Sequence, residues 1–256
     1  MIKNKIINIY QLVKFDLKSR YAKTGLGQIW YIVSPIVMLF IYTVIFSDFM
    51  SARLGVSDQN YSYSIYLVPG IFAFSAFSGA LAIMIETPFA KAGILKKVST
   101  PLYAFELSPL IIQYIIFAFS MFIGILFLAA VKGLSLNLLF LIPLMALQFV
   151  FTFGLGLLFS VFSVFFRDIK EVVPIVLQLL FWATPIVYPA EIIEKKAPIL
   201  LDINPLYYFI KPYQNIFLFD EFKISDFIAP FLVASVAFLL GFYFYKKLIS
   251  AVKDVL

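Results

Sequence analysis

The sequence predicts an all-α membrane protein with six transmembrane helices, an amphipathic interfacial helix ahead of them, and short re-entrant helices between the fifth and sixth. Three observations predict it. Of 256 residues, 63% are hydrophobic and 13% charged, against about 45–50% apolar and about 25% charged in soluble domains; one water-solvated core cannot hide that excess. The charges are also clustered, leaving six uncharged stretches of about the ~20 residues that cross a bilayer. Finally, Lys and Arg are divided unevenly among the segments between those stretches. The first observation excludes a soluble enzyme or a nucleic-acid-binding domain.

The N-terminal segment, 1–23, places Ile2, Ile6, Ile9, Tyr10, Val13 and Leu17 at helical spacing, with Lys3, Asn8, Gln11, Lys14 and Lys18 largely on the other side. This reads as an amphipathic helix lying in the membrane interface. Asp16 and Arg20 break the pattern and are expected to face protein. The segment is charge-studded and has no apolar core before a cleavage site, so it is not expected to act as a cleavable signal.

The six spans follow as Thr24–Ser47, Gln59–Ile85, Leu107–Val131, Gly133–Phe166, Val172–Ala190 and Phe227–Tyr245. Pro69-Gly70 divides the second, which places its helix mainly at Pro69–Ile85 and leaves Tyr61–Tyr66 at the interface. The fourth is too long for one straight crossing; Pro143, Ser135 and Asn137 point to an interfacial entry before the helix proper. The cytoplasmic side is the one that retains Lys and Arg. Fourteen of the twenty lie in the N-terminal segment, the 86–106 loop, the Arg167–Lys170 turn and the C-terminal tail, which puts both termini in the cytoplasm. The remaining six lie on the other side, and the chain is read as a single domain of 1–256.

Two connecting segments stand out, although the first also reads as a solvated connector with a few snorkelling side chains. The cytoplasmic loop 86–106 holds Phe89, Ile94, Leu95, Val98 and Leu102 among three lysines, bracketed by Pro88 and Pro101. That pattern fits a short helix that docks a soluble subunit. The extracytoplasmic segment 191–226 contains an apolar run, Ile203–Phe219, interrupted by Pro205 and Pro212. It reads as two short re-entrant helices, which a membrane accepts where protein or water satisfies their backbone.

The chemistry available is limited. Cys and His are both absent, which removes thiol nucleophiles, His-containing triads and the usual zinc ligand sets. No Gly is followed by Lys, so there is no P-loop, and any ATP is hydrolysed by a partner. The six stretches carry no ionisable group, which argues against a proton- or sodium-coupled carrier. What stands out is aromatic content: 31 Phe, 15 Tyr and 2 Trp. Most should face lipid or form interfacial belts. A minority suits a sliding contact with sugar rings, an apolar face with a hydroxyl handle; Tyr31, Tyr42, Trp182, Tyr188, Tyr207 and Tyr208 are the candidates.

Three strings carry a family resemblance: Arg20–Trp30 leading into the first span, Phe165-Phe166-Arg167-Asp168-Ile169-Lys170-Glu171 between the fourth and fifth, and Thr184-Pro185-Ile186-Val187-Tyr188 with Asn204-Pro205-Leu206-Tyr207 beyond. In order and spacing they resemble the ABC-2 permeases over essentially the whole chain. More narrowly, the chain resembles the transmembrane subunit of O-antigen and related polysaccharide exporters, the Wzm type, with its type V exporter-like fold.

The resemblance implies a homodimer paired with two copies of a separate nucleotide-binding ATPase, which holds ATP and Mg; this chain itself binds no cofactor and no metal. It implies a polyprenyl-diphosphate-linked polysaccharide moved from the cytoplasm across the bacterial inner membrane. By the same resemblance, Thr24, Gly25 and Gly27 border the substrate access point; charge attraction then makes Arg20 and Lys23 the candidate cations for the diphosphate or lipid headgroup. Ile94, Leu95, Lys96, Lys97 and Val98 form the ATPase-coupling helix, and 191–226 holds the gate helices. No catalytic residue is assigned, and Arg167-Asp168 reads equally well as a turn fixed by ion pairing. Other cargoes of the same family, such as a teichoic acid, a glycolipid or a drug, an ATPase-independent channel or carrier, and a membrane scaffold stand as alternative readings.

Overall fold

The structure, a computed structural model, describes residues 2–20, 24–42, 62–95 and 100–256. Among these the regular elements are all helical: α1 (Ile2–Ser19), α2 (Trp30–Phe40), α3 (Ser62–Ala90), α4 (Ala92–Leu95), α5 (Leu102–Val131), α6 (Leu141–Phe165), α7 (Ile169–Ala183), α8 (Glu191–Glu194), α9 (Ile199–Asp202), α10 (Tyr207–Leu218) and α11 (Ile228–Val255). Among the described residues four helices are long and apolar enough to cross a membrane: α3, α5, and α6 and α11 together with the 3-10 turns ahead of them. The second, third, fourth and sixth predicted stretches supply them. The first and fifth supply shorter helices. α7 has 15 residues, about 22 Å at ~1.5 Å per residue, against a hydrocarbon core of ~30 Å.

α3 is the central pillar. Within its most apolar window 72% of residues are buried, against 22–33% in the other three, as expected of a helix that is hydrophobic on all sides. It corrects the expected break at Pro69-Gly70: the helix runs unbroken from Ser62 to Ala90, and Tyr63 and Tyr66 are buried rather than interfacial. The lost backbone bond at Pro69 is outweighed by packing. A Cβ on Gly70 would lie 3.2–3.4 Å from Gln214, Ile186 and Ile210, so the missing side chain lets α10 and the 184–188 segment close against α3. Phe77 stacks on Phe151, which stacks on Phe209, at centroid separations of 5.4 and 5.0 Å. That stack joins α3, α6 and α10 in the main core.

α6 and α11 cross closely because both are glycine at the crossing. A Cβ on Gly241 would collide with the Gly154 carbonyl, and one on Gly154 with the backbone of Ala237; small residues of this kind let membrane helices approach backbone to backbone. The entry to α6 follows the sequence reading: Ser135 accepts from the Asn137 amide at 3.1 Å, a 3-10 turn covers Leu136–Phe140, and Pro143 sits in the first turn of α6.

A second apolar cluster closes the end of the bundle where α1 lies. Leu95, Leu102, Phe105, Leu157, Val161, Tyr245 and Val252 form it, with Leu12 against it. α1 turns Leu12, Val13, Asp16 and Leu17 toward protein and leaves Tyr10 and Phe15 exposed. Leu12 packing and the bonds of Asp16 set that orientation. The 91–95 turn, the start of α7 and the C-terminal end of α11 gather at this same end.

Candidate functional site

At the α1 end a cavity of about 280 Å³ opens between α1, α3 and α5. Ile83, Phe105, Pro109 and Ile112 line its apolar wall, and Asp16, Arg20, Glu86, Thr87 and Lys91 its polar rim. The charges are organised by pairing. Lys91 Nζ lies 3.0 Å from Asp16 Oδ1, and the Ser108 hydroxyl donates to Asp16 Oδ2 at 2.7 Å. Lys170 Nζ lies 2.8 Å from Glu86 Oε2 and 3.5 Å from the centroid of the Phe89 ring, tying the first turn of α7 to the last turn of α3. Arg20 Nη1 donates to Gln113 Oε1 at 3.0 Å. Just behind the cavity, Glu106 is fully buried and accepts from the Ser160 hydroxyl, joining α5 to α6. The sequence reading had made Glu106 the outer boundary of a loop; the structure places it inside α5.

Of the residues expected at substrate access, Arg20 lines this cavity. Thr24, Gly25 and Gly27 form an exposed turn leading to α2, closed by the Gly27 amide on the Thr24 carbonyl at 3.1 Å. Gly27 takes φ +53°, a left-handed conformation that favours glycine. Lys23 lies outside the described residues. In the segment expected to couple to an ATPase, Leu95 is buried in the second cluster while Ile94 is exposed; Lys96, Lys97 and Val98 lie outside the described residues. Leu95 thus anchors the segment and Ile94 remains on its surface.

The candidate aromatics fall into three places: Tyr31 against α1, Tyr42 against the main core, and Trp182, Tyr188, Tyr207 and Tyr208 around the 184–208 segment. The Tyr31 hydroxyl donates to the Leu17 carbonyl at 3.2 Å, stitching α2 to the end of α1. Tyr42 packs against the main core. Trp182 is 58% exposed and meets the Phe181 ring edge-on at 5.4 Å; the Tyr188 hydroxyl donates to its carbonyl. Tyr207 is buried, with Lys211 Nζ 5.3 Å from its ring centroid, and the Tyr208 hydroxyl donates to the Asp202 carbonyl at 2.8 Å.

The strings Thr184–Tyr188 and Asn204–Tyr207, separated by α8 and α9, are brought together at the opposite end. Residues 184–188 form an irregular strap in which the carbonyls of Pro185, Val187 and Tyr188 accept from side chains. Pro185 accepts from Gln214 at 3.0 Å, and the Tyr66 hydroxyl lies 2.8 Å from that carbonyl and 2.9 Å from that of Tyr188. The Tyr63 hydroxyl donates to Val187 at 2.9 Å. Asn204 donates to the Thr184 hydroxyl at 2.8 Å, while its own oxygen accepts from the Leu206 amide at 3.0 Å. Sequence reasoning missed Tyr63 and Tyr66 as donors because it had placed them at the interface.

A bundle of long apolar helices, with its irregular backbone satisfied internally, defines a multi-pass membrane protein. Residues 7–218 match the ABC-2 type transporter family, and the chain belongs to it. It is 31% identical over 206 residues to the O-antigen export system permease protein RfbA of Klebsiella pneumoniae, covering 79% of this chain and 77% of that one. It is 28% identical over 222 residues to the RfbA permease of Myxococcus xanthus, covering 85% and 82%. It is 24% identical over 210 residues to the polysialic acid transport protein KpsM of Escherichia coli, covering 80% and 79%. These relatives are transporter components rather than catalytic proteins. Among the described residues no three His, Cys, Asp or Glu side chains gather as a metal site.

Proposed function

We propose that this chain is the permease subunit of an ATP-driven exporter that moves a polyprenyl-diphosphate-linked, O-antigen-like polysaccharide from the cytoplasm across the inner membrane. Membership of the ABC-2 family, with relatives named as O-antigen export permeases over most of their length, carries this reading. Two copies of the chain pair with two copies of an ATPase subunit. ATP and Mg belong to that partner, in keeping with a sequence that has no Gly-Lys pair.

In this reading the four long helices are joined by α2 and α7 to make six crossings. α1 lies in the cytoplasmic interface with both termini on the side that holds fourteen of twenty Lys and Arg. The exposed stripe Val172, Ile175, Val176, Leu179 and Trp182 on α7 faces the second copy, around the conduit. Arg20 and Lys23, with the Thr24–Gly27 turn, receive the lipid diphosphate. The segment 94–98 docks the ATPase, and α8 to α10 with the strap form the extracytoplasmic gate. A hydrated polymer cannot enter hydrocarbon without several kcal/mol for each unsatisfied polar group, so a protein-lined conduit is required, sealed between substrates by apolar side chains.

The similarity to KpsM makes a polysialic-acid-like polymer the second reading of the cargo. Deletion followed by analysis of surface and intracellular polymer tests the export role. Loss of surface glycan with lipid-linked polymer accumulating inside is expected; intact surface glycan without accumulation overturns it.

A further inference from the structure

Asp16 is the single acidic residue of α1, a helix that otherwise carries only Lys charges. A basic interfacial helix needs no acid to sit at a membrane surface, and this one points inward, with Lys91 and Asp16 side chains 23% and 19% exposed. Its two oxygens reach the two sides of the docking loop. Oδ1 pairs with Lys91, the residue between the end of α3 and the start of α4; Oδ2 accepts from Ser108 in the second turn of α5. Beyond Asp16, Arg20 is bonded to Gln113, and the Leu17 carbonyl accepts from Tyr31 at the start of α2. One side chain thus connects the segment read as the ATPase dock to the helix that leads into the substrate-access turn.

We infer that Asp16 is a positioning residue, passing movement of the docking segment through Lys91 to α1 and so to the Thr24–Gly27 turn and α2. This rests on the permease reading above and adds to it a route by which the ATPase controls substrate access. The route runs through one charge pair that is shielded from water on most of its surface, so it is weakened less by salt than an exposed pair.

The test uses the complete complex of permease and ATPase in proteoliposomes, with ATP hydrolysis and polymer translocation measured in the same vesicles. Asp16→Asn and Lys91→Met each lower polymer moved per ATP by about five-fold or more, the size of a modest coupling free energy, while hydrolysis persists. The exchange Asp16→Lys with Lys91→Asp restores the ratio. An unchanged ratio in the single variants, a parallel fall of hydrolysis and transport, or an exchange that assembles without recovery overturns the inference.

A second measurement needs neither the exchange nor the cargo. The chain has no Cys, so spin labels at Lys14→Cys and Gly93→Cys report the separation of α1 from the docking segment. The parent keeps one narrow distance with and without ATP, and Asp16→Asn broadens it when ATP is added. A distance equally narrow in Asp16→Asn overturns the route. A parent complex that hydrolyses ATP and moves no polymer instead refutes the permease reading, and the label distances still decide the role of Asp16.

Discussion

The Asn204 side-chain amide donates to the Thr184 hydroxyl at 2.8 Å, and this bond joins two segments whose sequences are separated by the whole of α8 and α9. Both residues are buried. Asn204 is also bonded through its oxygen to the Leu206 amide, so one side chain fixes the end of the strap and the start of α10 together.

Replacing Asn204 with Ala is expected to leave the Thr184 hydroxyl and the Leu206 amide without these partners. The cost should be about 1–3 kcal/mol for a buried unsatisfied group. A lowered melting temperature of the detergent-solubilised chain checks this, with Thr184→Val expected to cost less.

Gly241→Leu forces a side chain into the Gly154 backbone. Overpacking of this kind costs about 1–3 kcal/mol or more, and separation of α6 from α11 should follow. Protease sensitivity within α11 rising above that of the parent is the expected result, whereas Gly93→Ala, where a Cβ meets open space, should leave it unchanged.

Asp220 predicts a pH dependence. Hydrogen bonds from the Ser135 and Asn137 side chains, with Lys132 adding its charge, hold its carboxyl below the ordinary carboxylate range. A value lowered on folding contributes stability that is complete above the unfolded value of about 3.9 and is lost as pH falls through the folded one. The melting-temperature difference between parent and Asp220→Ala should therefore be constant near neutrality and shrink in acid below the unfolded value.

Replacing Arg20 and Lys23 together with Gln should lower export while the chain still inserts in the membrane. Quantifying surface polymer against the amount of chain in the membrane fraction checks this. Unchanged export would remove both cations from the mechanism.

Trp182 and Tyr207 contrast an exposed ring with a buried one. Trp182→Ala alters an exposed ring and should change stability by no more than about 0.5 kcal/mol while reducing export. Tyr207→Ala empties a buried site, and thermal stability should fall by about 3–5 kcal/mol.

α5, α6 and α11 were legible because charges or polar turns bound their apolar stretches. α3 was legible only in part. Pro69 breaks a helix by a local rule, and the packing that overrides it comes from Ile186, Ile210 and Gln214, all distant in sequence. Asp16 stood out as a charge off the amphipathic pattern, but its partners lie 75 and 92 residues away and no periodicity announces them. The strap strings were visible as a resemblance; that Tyr63 and Tyr66 hold them became visible only in three dimensions. Leu95 illustrates the same limit, since an apolar residue in a docking loop reads alike whether it faces a partner or anchors the loop from below.

The unbroken run of α3 through Pro69 and Gly70 has a mechanical consequence. Tyr66 at one end holds the strap, Glu86 at the other holds Lys170, and the twenty helical steps from one to the other span about 30 Å at ~1.5 Å each. One unbroken helix, clasped by side chains at both ends, thus ties the strap to the first turn of α7 with no loop between them.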